Sequence, residues 1–364
     1  MKLIKSLTVA LFTGINIASL LMLWLCCGVT ELHPASFPRL SLLPLLFPFI
    51  AFVNLLFIPF WLIFKFKRTW LPLLGCGICY SFFWDYCPLN FSENVPEGER
   101  HLTLLSFNTH DFGGKKARDE QGNNPIANLV YFSNADIICL QEASGGGADL
   151  KTVKNNMKEL GYDNYSHKGT VIFSKLPILE ADTLSFPTRS NHGVYAKLFD
   201  GKDTILLINN HFESNHLSRI MKDDYRDALE NHAKNAYEQD IRDTLRRELK
   251  PLMRLLAEAA PLRAAQTDTI RNIVLRWLPR PVIVMGDFNE TPVSYTLRQL
   301  TAHLTNAYSQ SGTGTGFTFH EKGFPVRIDH ILFNGEYWQS HNTRVDKSIK
   351  QSDHYPIFTE LTWK

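Results

Sequence analysis

Two long apolar segments without a charged residue dominate the start of this 364-residue chain. They cover 6–30 and 40–64, and each is longer than the ~20 residues that a helix needs to cross the hydrocarbon core of a bilayer. A third uncharged segment, 69–84, crosses only if the residues up to 88 are included. The sequence therefore predicts a membrane anchor at 1–89, with two or three transmembrane helices at about 6–29, 41–64 and 69–88.

The first apolar segment has one competing interpretation, a cleaved signal peptide. Lys2 and Lys5 would form its basic start. The segment is longer than the apolar core of a signal peptide, and the Leu-Trp-Leu sequence before Cys26 lacks the small residues of a cleavage or lipid-attachment site. A spanning helix is the favoured interpretation, and the signal peptide is its alternative.

Basic residues at the ends of these segments predict their orientation. Two lysines precede the first segment and three basic residues, at 65, 67 and 68, separate the second from the third, whereas the loop between the first two has only Glu31 and Arg39. The positive-inside rule places both basic clusters in the cytoplasm. With three spans, the rest of the chain lies on the outer side of the plasma (inner) membrane. If the third segment only lies in the interface, the rest is cytoplasmic.

The part of the chain beyond residue 100 is electrically neutral. The whole chain carries 38 basic and 36 acidic residues, of which seven and five precede position 101, leaving 31 of each sign. Neutrality argues against a protein that coats DNA, because affinity for the phosphate backbone depends on clustered Lys and Arg. Only Cys139 lies beyond residue 90, so this part does not depend on disulfides.

After a polar linker at 90–100, residues 101–364 show the pattern of an α/β domain. Short runs of β-branched or large apolar residues alternate with amphipathic stretches. Apolar residues at every fourth position predict a long helix at 222–250, within a helical insertion at about 216–260, which Pro251 stops or kinks. The predicted strands are 102–108, 136–141, 170–174, 193–199, 204–210, 281–286, 316–320, 328–333 and 356–362. The other predicted helices are 125–133, 150–160, 262–278 and 293–302.

Polar residues follow many of these strands at the point where the strand ends. Any one of them has an ordinary explanation as a turn residue, a surface charge or a core histidine. Their number in one domain instead indicates a site at one edge of the sheets. The motifs are Phe107-Asn108, Gln141-Glu142, Asn210-His211, Gly286-Asp287-Phe288-Asn289, Arg327-Ile328-Asp329 and Ser352-Asp353-His354.

In order and spacing these motifs resemble the endonuclease/exonuclease/phosphatase superfamily, which has the DNase I-like fold. The resemblance covers about 101–364 and implies a four-layer α/β sandwich, two packed mixed β-sheets flanked by helices, here preceded by two to three transmembrane helices. The arrangement is similar to membrane-anchored bacterial members. The implied catalytic residues are His211, Asp287, Asn289, Asp329 and His354, and the implied metal ligands are Asn108, Glu142 and Asp353.

The resemblance also implies a role for each catalytic residue. Asp287 would align or activate a water, and Asn289 would hold the phosphate. His354, oriented by Asp329, would contact a phosphoryl oxygen or act as a base. His211 would supply a proton or a phosphate contact.

The implied chemistry is metal-dependent hydrolysis of a phosphoester. Mg²⁺ (or Mn²⁺) suits carboxylate and amide oxygens at a half-open site, where it offsets the charge that develops during phosphoryl transfer. Residues 109–114 lack the basic or tryptophan-bearing segment usual in abasic-site repair members, which argues against DNA repair. A nuclease or phosphodiesterase, an enzyme acting on phospholipid head groups, and an inactive binding protein stay open. The other expected partner is the lipid bilayer, and the oligomeric state is left open.

Some residues near the motifs receive no firm role. Arg263 and Gln266 share one helix face and either brace the site or form an ordinary surface pair. His110 and His330 adjoin motif positions where the family varies, and both are left out of the predicted site.

Overall fold

The computed structural model describes residues 2–91, 94–114, 117–186, 188, 191–214, 241–321 and 325–364. The predicted insertion at 216–260 lies outside these residues up to position 240. The predicted helix at 222–250 is therefore described only from residue 241 onward.

Two six-stranded mixed sheets form the α/β domain, defined here as residues 101–364. The first has the order β11-β12-β1-β2-β4-β3, and the second has the order β5-β6-β7-β8-β10-β9. The strands are β1 (His101–Asn108), β2 (Ile137–Gln141), β3 (Asp163–His167), β4 (Thr170–Ser174), β5 (Ile178–Leu184), β6 (Gly193–Phe199), β7 (Thr204–His211), β8 (Val282–Asp287), β9 (Thr305–Asn306), β10 (Asp329–Phe333), β11 (Trp338–Val345) and β12 (Ile357–Trp363).

Helices cover the outer face of each sheet. They are α5 (Pro125–Phe132) and α6 (Leu150–Glu159) on the first sheet, and α7 (Ile241–Trp277) and α8 (Tyr295–Thr301) on the second, with α9 (Ala307–Ser311) near the sheet edges. Between the sheets, alternate side chains such as Leu104 and Ile172 pack against Leu207 and Met285. Each fully buried side chain of this kind stabilises the fold by about 1.5–3 kcal/mol. The four-layer sandwich predicted from the resemblance is confirmed.

Strand register brings the motif residues to one edge of the sandwich. The parallel strands β1 and β2 pair Asn108 with Gln141, and β7 and β8 pair His211 with Asp287. The antiparallel strand β10 places Asp329 opposite Asp287. Because parallel strands end at the same edge, their last side chains meet there.

One predicted strand is absent, and one of the two alternatives for Pro251 is wrong. Residues 316–320 form no strand, because only Phe319 makes isolated bridges, to Val326 and His354. Pro251 does not stop a helix, because α7 runs through Pro251 and Pro261. The missing N–H bond of a helical proline costs about 3 kcal/mol, and the packing of α7 on the second sheet offsets that cost.

The N-terminal helical segment, residues 2–86, is a separate layer of apolar helices. Two of its stretches, Ser6–Val29 and Leu40–Phe64, are long and apolar enough to cross a membrane by length and composition. Only 22% and 33% of these stretches are buried, unlike the core helix of a soluble protein. The helices are α1 (Lys2–Val29), α2 (Phe47–Phe64, preceded by a 3-10 helix at Leu40–Leu46), α3 (Trp70–Ile78) and α4 (Tyr80–Tyr86).

The third apolar segment connects the two ends of this layer. Arg68, just before α3, donates to the carbonyl of Val9 near the start of α1. Trp24 in α1 donates to the carbonyl of Gly75 in α3, and α4 contacts the α/β domain through Trp84. The segment is broken into two short helices at Cys79.

The α/β domain docks on the end of the layer that lies opposite Arg68. Glu31 pairs with Arg298 at 2.5 Å, and His33 lies 3.1 Å from Asp268. The buried Arg327 donates to the carbonyl of Asp85. These contacts hold the two parts together.

The last turn of α4 and the segment after it are also bound to the α/β domain. Trp84 donates to the carbonyl of Ser309 at 2.9 Å. Asn90 donates to the carbonyl of Gly312 at 2.8 Å, and Leu89 bridges Thr313. The start of the predicted linker is therefore part of the packed structure.

Candidate active site

A buried carboxylate–imidazole pair lies at the centre of the site. His354 donates from Nδ1 to Asp329 Oδ2 at 2.8 Å, and both side chains are buried. Burial alone would lower the pKa of His354, but the surrounding carboxylates, Asp329 foremost, raise it to about 10. His354 is therefore an imidazolium at neutral pH, with its Nε2 at 3.9 Å from Asp287 Oδ2.

Asp287 ends strand β8 and is buried. Burial raises its pKa to about 6, and the charge of Asp329 adds to this effect. Its Oδ1 accepts a hydrogen bond from the backbone N–H of Asn289 at 2.8 Å. A carboxylate with such a pKa is suited to accept a proton near neutral pH.

Glu142 follows β2 in the left-handed conformation, with φ of 50°. Such a conformation is costly for a residue other than glycine and is found where a side chain must be aimed. Burial would raise the pKa of Glu142, but the hydrogen bond from His110 and the charges of His211 and His354 lower it to about 2. Glu142 is therefore ionised throughout the physiological range.

Asn108 connects Glu142 with Asp287. Its Nδ2 lies 3.2 Å from Glu142 Oε1 and 3.0 Å from Asp287 Oδ2, and its Oδ1 accepts from the backbone of His110. The amide therefore faces both carboxylates with its NH₂ group. Asn108 fixes the two carboxylates relative to each other.

His110 lies between two carboxylates, although the sequence analysis left it out. Its Nδ1 is 3.6 Å from Glu142 Oε2 and 3.3 Å from Asp353 Oδ1. Its φ of 45° begins five consecutive residues with positive φ, 110–114, of which the last two are glycines. The Gly113-Gly114 pair signals a turn but does not show that the His110 ring lies between the two carboxylates. A second signal is the position of His110 two residues after Asn108.

His211 and Asn289 complete the predicted set. His211 Nε2 lies 3.6 Å from Glu142 Oε1 and 3.7 Å from Asp287 Oδ2. Asn289 has a φ of 51° and donates from Nδ2 to the carbonyl of Phe212 at 3.1 Å. All eight residues of the predicted site therefore lie at one edge of the sandwich.

Arg263 and Gln266 brace the site and are not a surface pair. Both are buried on α7. Arg263 binds Glu290 at 2.5 Å and the carbonyl of Glu213 at 3.2 Å. Gln266 accepts from the backbone N–H of Glu213 at 2.9 Å. The helix thus holds the segments that follow β7 and β8.

His330 is a buried residue with a structural role. Its Nε2 lies 3.0 Å from the carbonyl of Glu290, and its ring packs edge-on against Phe288. Burial lowers the pKa of His330 to about 3, so the ring is neutral. Its omission from the predicted site agrees with this environment.

Two groups of side chains could hold a metal ion. The ligand atoms of Asp287, Asp329 and His354 lie within 4.8 Å of one another. In that group, however, one ring nitrogen of His354 donates to Asp329 and the other carries a proton at neutral pH, so no lone pair is left for a metal. Glu142 and Asp353, which both contact His110, offer the carboxylate oxygens that Mg²⁺ prefers. The donor set at these two residues fits a hard divalent cation.

The family of this chain follows from its sequence profile. The profile of the Endonuclease/Exonuclease/phosphatase family matches residues 105–354. That match covers more than half of the chain and includes every residue of the predicted site. The chain belongs to this family. Residues 9–86 match a second profile, a domain of unknown function (DUF8431). No curated protein matches the sequence.

Several solved structures are similar to this family member at low sequence identity. Truncated TDP2 from Caenorhabditis elegans is 18% identical, covers 72% of this chain and 97% of its own, and has a TM-score of 0.49. The human Nocturnin catalytic domain with bound sulfate is 13% identical, with coverages of 72% and 95% and a TM-score of 0.49. A family protein from Bacteroides thetaiotaomicron is 16% identical, with coverages of 73% and 99% and a TM-score of 0.47.

Proposed function

We propose that this protein is a membrane-anchored, divalent-metal-dependent phosphoester hydrolase, and more narrowly a phosphodiesterase or nuclease. The observation that carries the proposal is the pairing of a buried imidazolium with a buried carboxylate. His354 Nε2 faces Asp287 Oδ2 at 3.9 Å, and the two groups have opposite proton preferences. A neighbouring acid and base whose pKa values differ, so that one is protonated and the other is ionised at neutral pH, suit hydrolysis.

The proton steps follow from these two groups. Asp287, ionised above about pH 6, accepts a proton from the attacking water. His354, an imidazolium held by Asp329, donates a hydrogen bond to a phosphoryl oxygen as negative charge develops there. The structure favours this role over that of a base, because a histidine with a pKa of about 10 does not release its proton readily.

His211 and Asn289 have separate roles beside this pair. His211, at the end of β7, lies within 3.7 Å of both Glu142 and Asp287 and can give a proton to the leaving oxygen. Asn289 follows Asp287 by two residues, and its amide holds a phosphate oxygen.

A divalent cation fits beside Glu142 and Asp353. The low pKa of Glu142, about 2, keeps its carboxylate ready to bind a cation. When bound there, Mg²⁺ or Mn²⁺ would offset charge on the phosphoryl group. Asn108 holds Glu142 in place for that role.

Phospholipid head groups are a second candidate substrate class. The α/β domain is docked directly on the apolar N-terminal helices through pairs such as Glu31–Arg298. In a bilayer, this docking would keep the site close to the membrane surface and raise the effective concentration of lipid substrates. The three-span orientation predicted from the basic residues places this site outside the cytoplasm.

A substrate panel tests the proposal. The full chain in detergent micelles, with Mg²⁺, is incubated with plasmid DNA, RNA, a bis-nitrophenyl phosphodiester and phospholipids. We expect hydrolysis of at least one class and its loss in excess chelator. Full turnover in chelator would overturn the metal dependence, and inactivity on the whole panel would overturn the proposed substrate range.

Glu142→Gln is the matched variant for the metal site. It removes the charge while keeping the shape of the side chain, so we expect a higher Mg²⁺ requirement with little change in melting temperature. Glu120→Gln, at an exposed position, is the control. An unchanged Mg²⁺ titration for Glu142→Gln would contradict its role as a ligand.

A further inference from the structure

A large apolar groove lies between the N-terminal helical segment and helix α7. This groove, named here the interface groove, has a volume of about 1290 Å³. One wall consists of Phe37, Leu40 and Leu42, and the other of Met253, Ala257 and Pro261. Small-molecule pockets span roughly 300–1,000 Å³, so this groove accommodates a longer apolar chain.

The position of the interface groove relates it to the bilayer. Leu40 and Leu42 are among the first residues of the second membrane-crossing candidate, Leu40–Phe64. The loop just before them carries Glu31 and His33, which contact the α/β domain. In the proposed orientation, the groove therefore lies where the hydrocarbon core meets the head groups.

The charged residues around the groove favour an anion. Arg39, Lys250, Arg254 and Glu258 belong to its lining. Arg254 is paired with Glu258 at 2.8 Å, so these two neutralise each other. Within the described part of the chain, no ion pair satisfies Arg39 or Lys250. Apolar walls beside two unpaired cations match the chemistry of an anionic phospholipid.

We propose that the interface groove binds one anionic phospholipid, with an acyl chain against the apolar walls and the phosphate at Arg39 and Lys250. This inference rests on the membrane anchoring proposed above, but it concerns a site separate from the catalytic residues. The lipid would join the N-terminal helical segment to α7. Only two residues beyond the groove wall at Pro261, Arg263 holds Glu290 beside Asn289.

Lipid retention tests the site independently of catalysis. The full chain is reconstituted in nanodiscs of mixed phosphatidylglycerol and phosphatidylcholine, extracted into mild detergent, and analysed for bound lipid by native mass spectrometry. We expect one retained phosphatidylglycerol, at least tenfold enriched over phosphatidylcholine. The melting temperature should also be a few degrees higher in phosphatidylglycerol than in phosphatidylcholine, because a ligand of the folded state stabilises it.

Two kinds of variant separate a bound lipid from general attraction to a charged surface. Arg39→Gln with Lys250→Gln removes the charges, and Ala257→Trp fills the groove without changing charge. Both should lose the retained lipid and the stabilisation, whereas Lys151→Gln with Lys158→Gln, on the exposed face of α6, should not. If Ala257→Trp does not fold, Met253→Asp serves instead, because Met253 is 53% exposed.

The outcomes distinguish this inference from the proposed function. An undiminished phosphatidylglycerol effect in Ala257→Trp would show surface attraction only and overturn the lipid site. Membrane extraction with no retained lipid would overturn the site and leave the anchoring intact. A chain that is released by carbonate washing would overturn the anchoring and the lipid site together.

Discussion

The two histidines of the site differ in their surroundings and should differ in function. His354 is held by Asp329, whereas His211 contacts Glu142 and Asp287 only at 3.6–3.7 Å. We expect His354→Ala to lower kcat by at least ~100-fold. It should also lower the melting temperature, because it leaves the buried carboxylate of Asp329 without its partner. His211→Ala should cost less on a nitrophenyl ester than on an alkyl phosphodiester, because a good leaving group needs less proton donation.

The control for these variants is His303→Ala, since His303 is exposed. Turnover of all three variants is measured on both substrates. Near-normal rates for His354→Ala on both would contradict the whole catalytic assignment.

Activity should depend on pH through Asp287 and His354. The ionised form of Asp287, with a pKa of about 6, is required, so activity rises as the pH passes through 6. A bound cation that stabilises the carboxylate shifts this rise to lower pH. The imidazolium of His354 is present below about pH 10, so activity falls above that value. The pH values at which activity rises and falls are apparent pKa values of the coupled Asp287–His354 pair, and not of either residue alone.

Asp329→Asn should move both limbs of this profile to lower pH. The charge of Asp329 raises the pKa of Asp287 and of His354, and its removal therefore lowers both. The measurement is kcat/KM against pH for the wild type and the variant. A reduced maximum with unmoved limbs would mean that Asp329 acts only through packing.

For single residues, the sequence predicts which side chains lie together in the site but not all of their contacts. Polar residues at strand ends must share one edge of a sheet, and this reasoning places Glu142, Asp287 and His354 correctly. It does not find His110, because the Gly113-Gly114 pair signals a turn but not which side chain that turn aims at the carboxylates. The environment of such a residue depends on contacts made by distant strands.

Among the elements, the pairing of strands β7 and β8 depends on Gly286, a glycine within β8. Gly286 has a φ of 142°, and a Cβ there would lie 2.0 Å from the backbone oxygen of Asn210. Gly286→Ala should therefore separate β7 from β8, destabilise the fold by about 3 kcal/mol or more, and abolish activity.

Gly201→Ala is the matched control for this variant. Gly201 also has a positive φ, of 95°, but a Cβ there meets no atom within 4 Å. Its substitution should cost only about 1 kcal/mol of backbone strain. Chemical denaturation of both variants gives the comparison, and equal losses would show that strain alone, without the close approach, explains the effect.

The strands that the sequence analysis misses share a structural reason. Strands β3, β5, β9 and β11 all lie at an edge of their sheet. An edge strand pairs on one side only and is partly exposed, so it need not carry a continuous apolar run. Strand β3, with the sequence DNYSH, is an example. The buried central strands, by contrast, are predicted to within one or two residues.

For the whole molecule, the attachment of residues 84–90 predicts that two N-terminal truncations differ in stability and activity. A fragment of residues 80–364 keeps the bonds of Trp84 and Asn90 and the Asp85 carbonyl that Arg327 binds, whereas 95–364 loses them. We expect 95–364 to melt at a lower temperature and to have a lower kcat. Arg327 connects this attachment to the site, because it precedes Asp329 by two residues. Equal melting temperatures and kcat values for the two fragments would show that the attachment does not support the site.

The orientation of the molecule is tested by a reporter that is active only outside the cytoplasm. Fused after residue 95, it should be active, because three crossings from a cytoplasmic start end on the outer side. The control is a fusion after Arg68, which should be inactive. Inactivity of the fusion after residue 95 would mean that the third apolar segment does not cross. Activity of the Arg68 fusion would contradict the predicted orientation of the first two spans.

The bonds between residues 84–90 and residues 309–313 limit how far the α/β domain can move from the N-terminal helices. A hydrolase on a flexible tether samples a hemisphere whose radius grows with tether length. Here Leu89 and Asn90, the residues that follow the last N-terminal helix, are bound to the domain, so no flexible tether separates the helix from the domain. In a bilayer, the catalytic residues would work at one constant height above the surface. Substrates would have to come to that height, by lateral diffusion in the leaflet or by passing close to it.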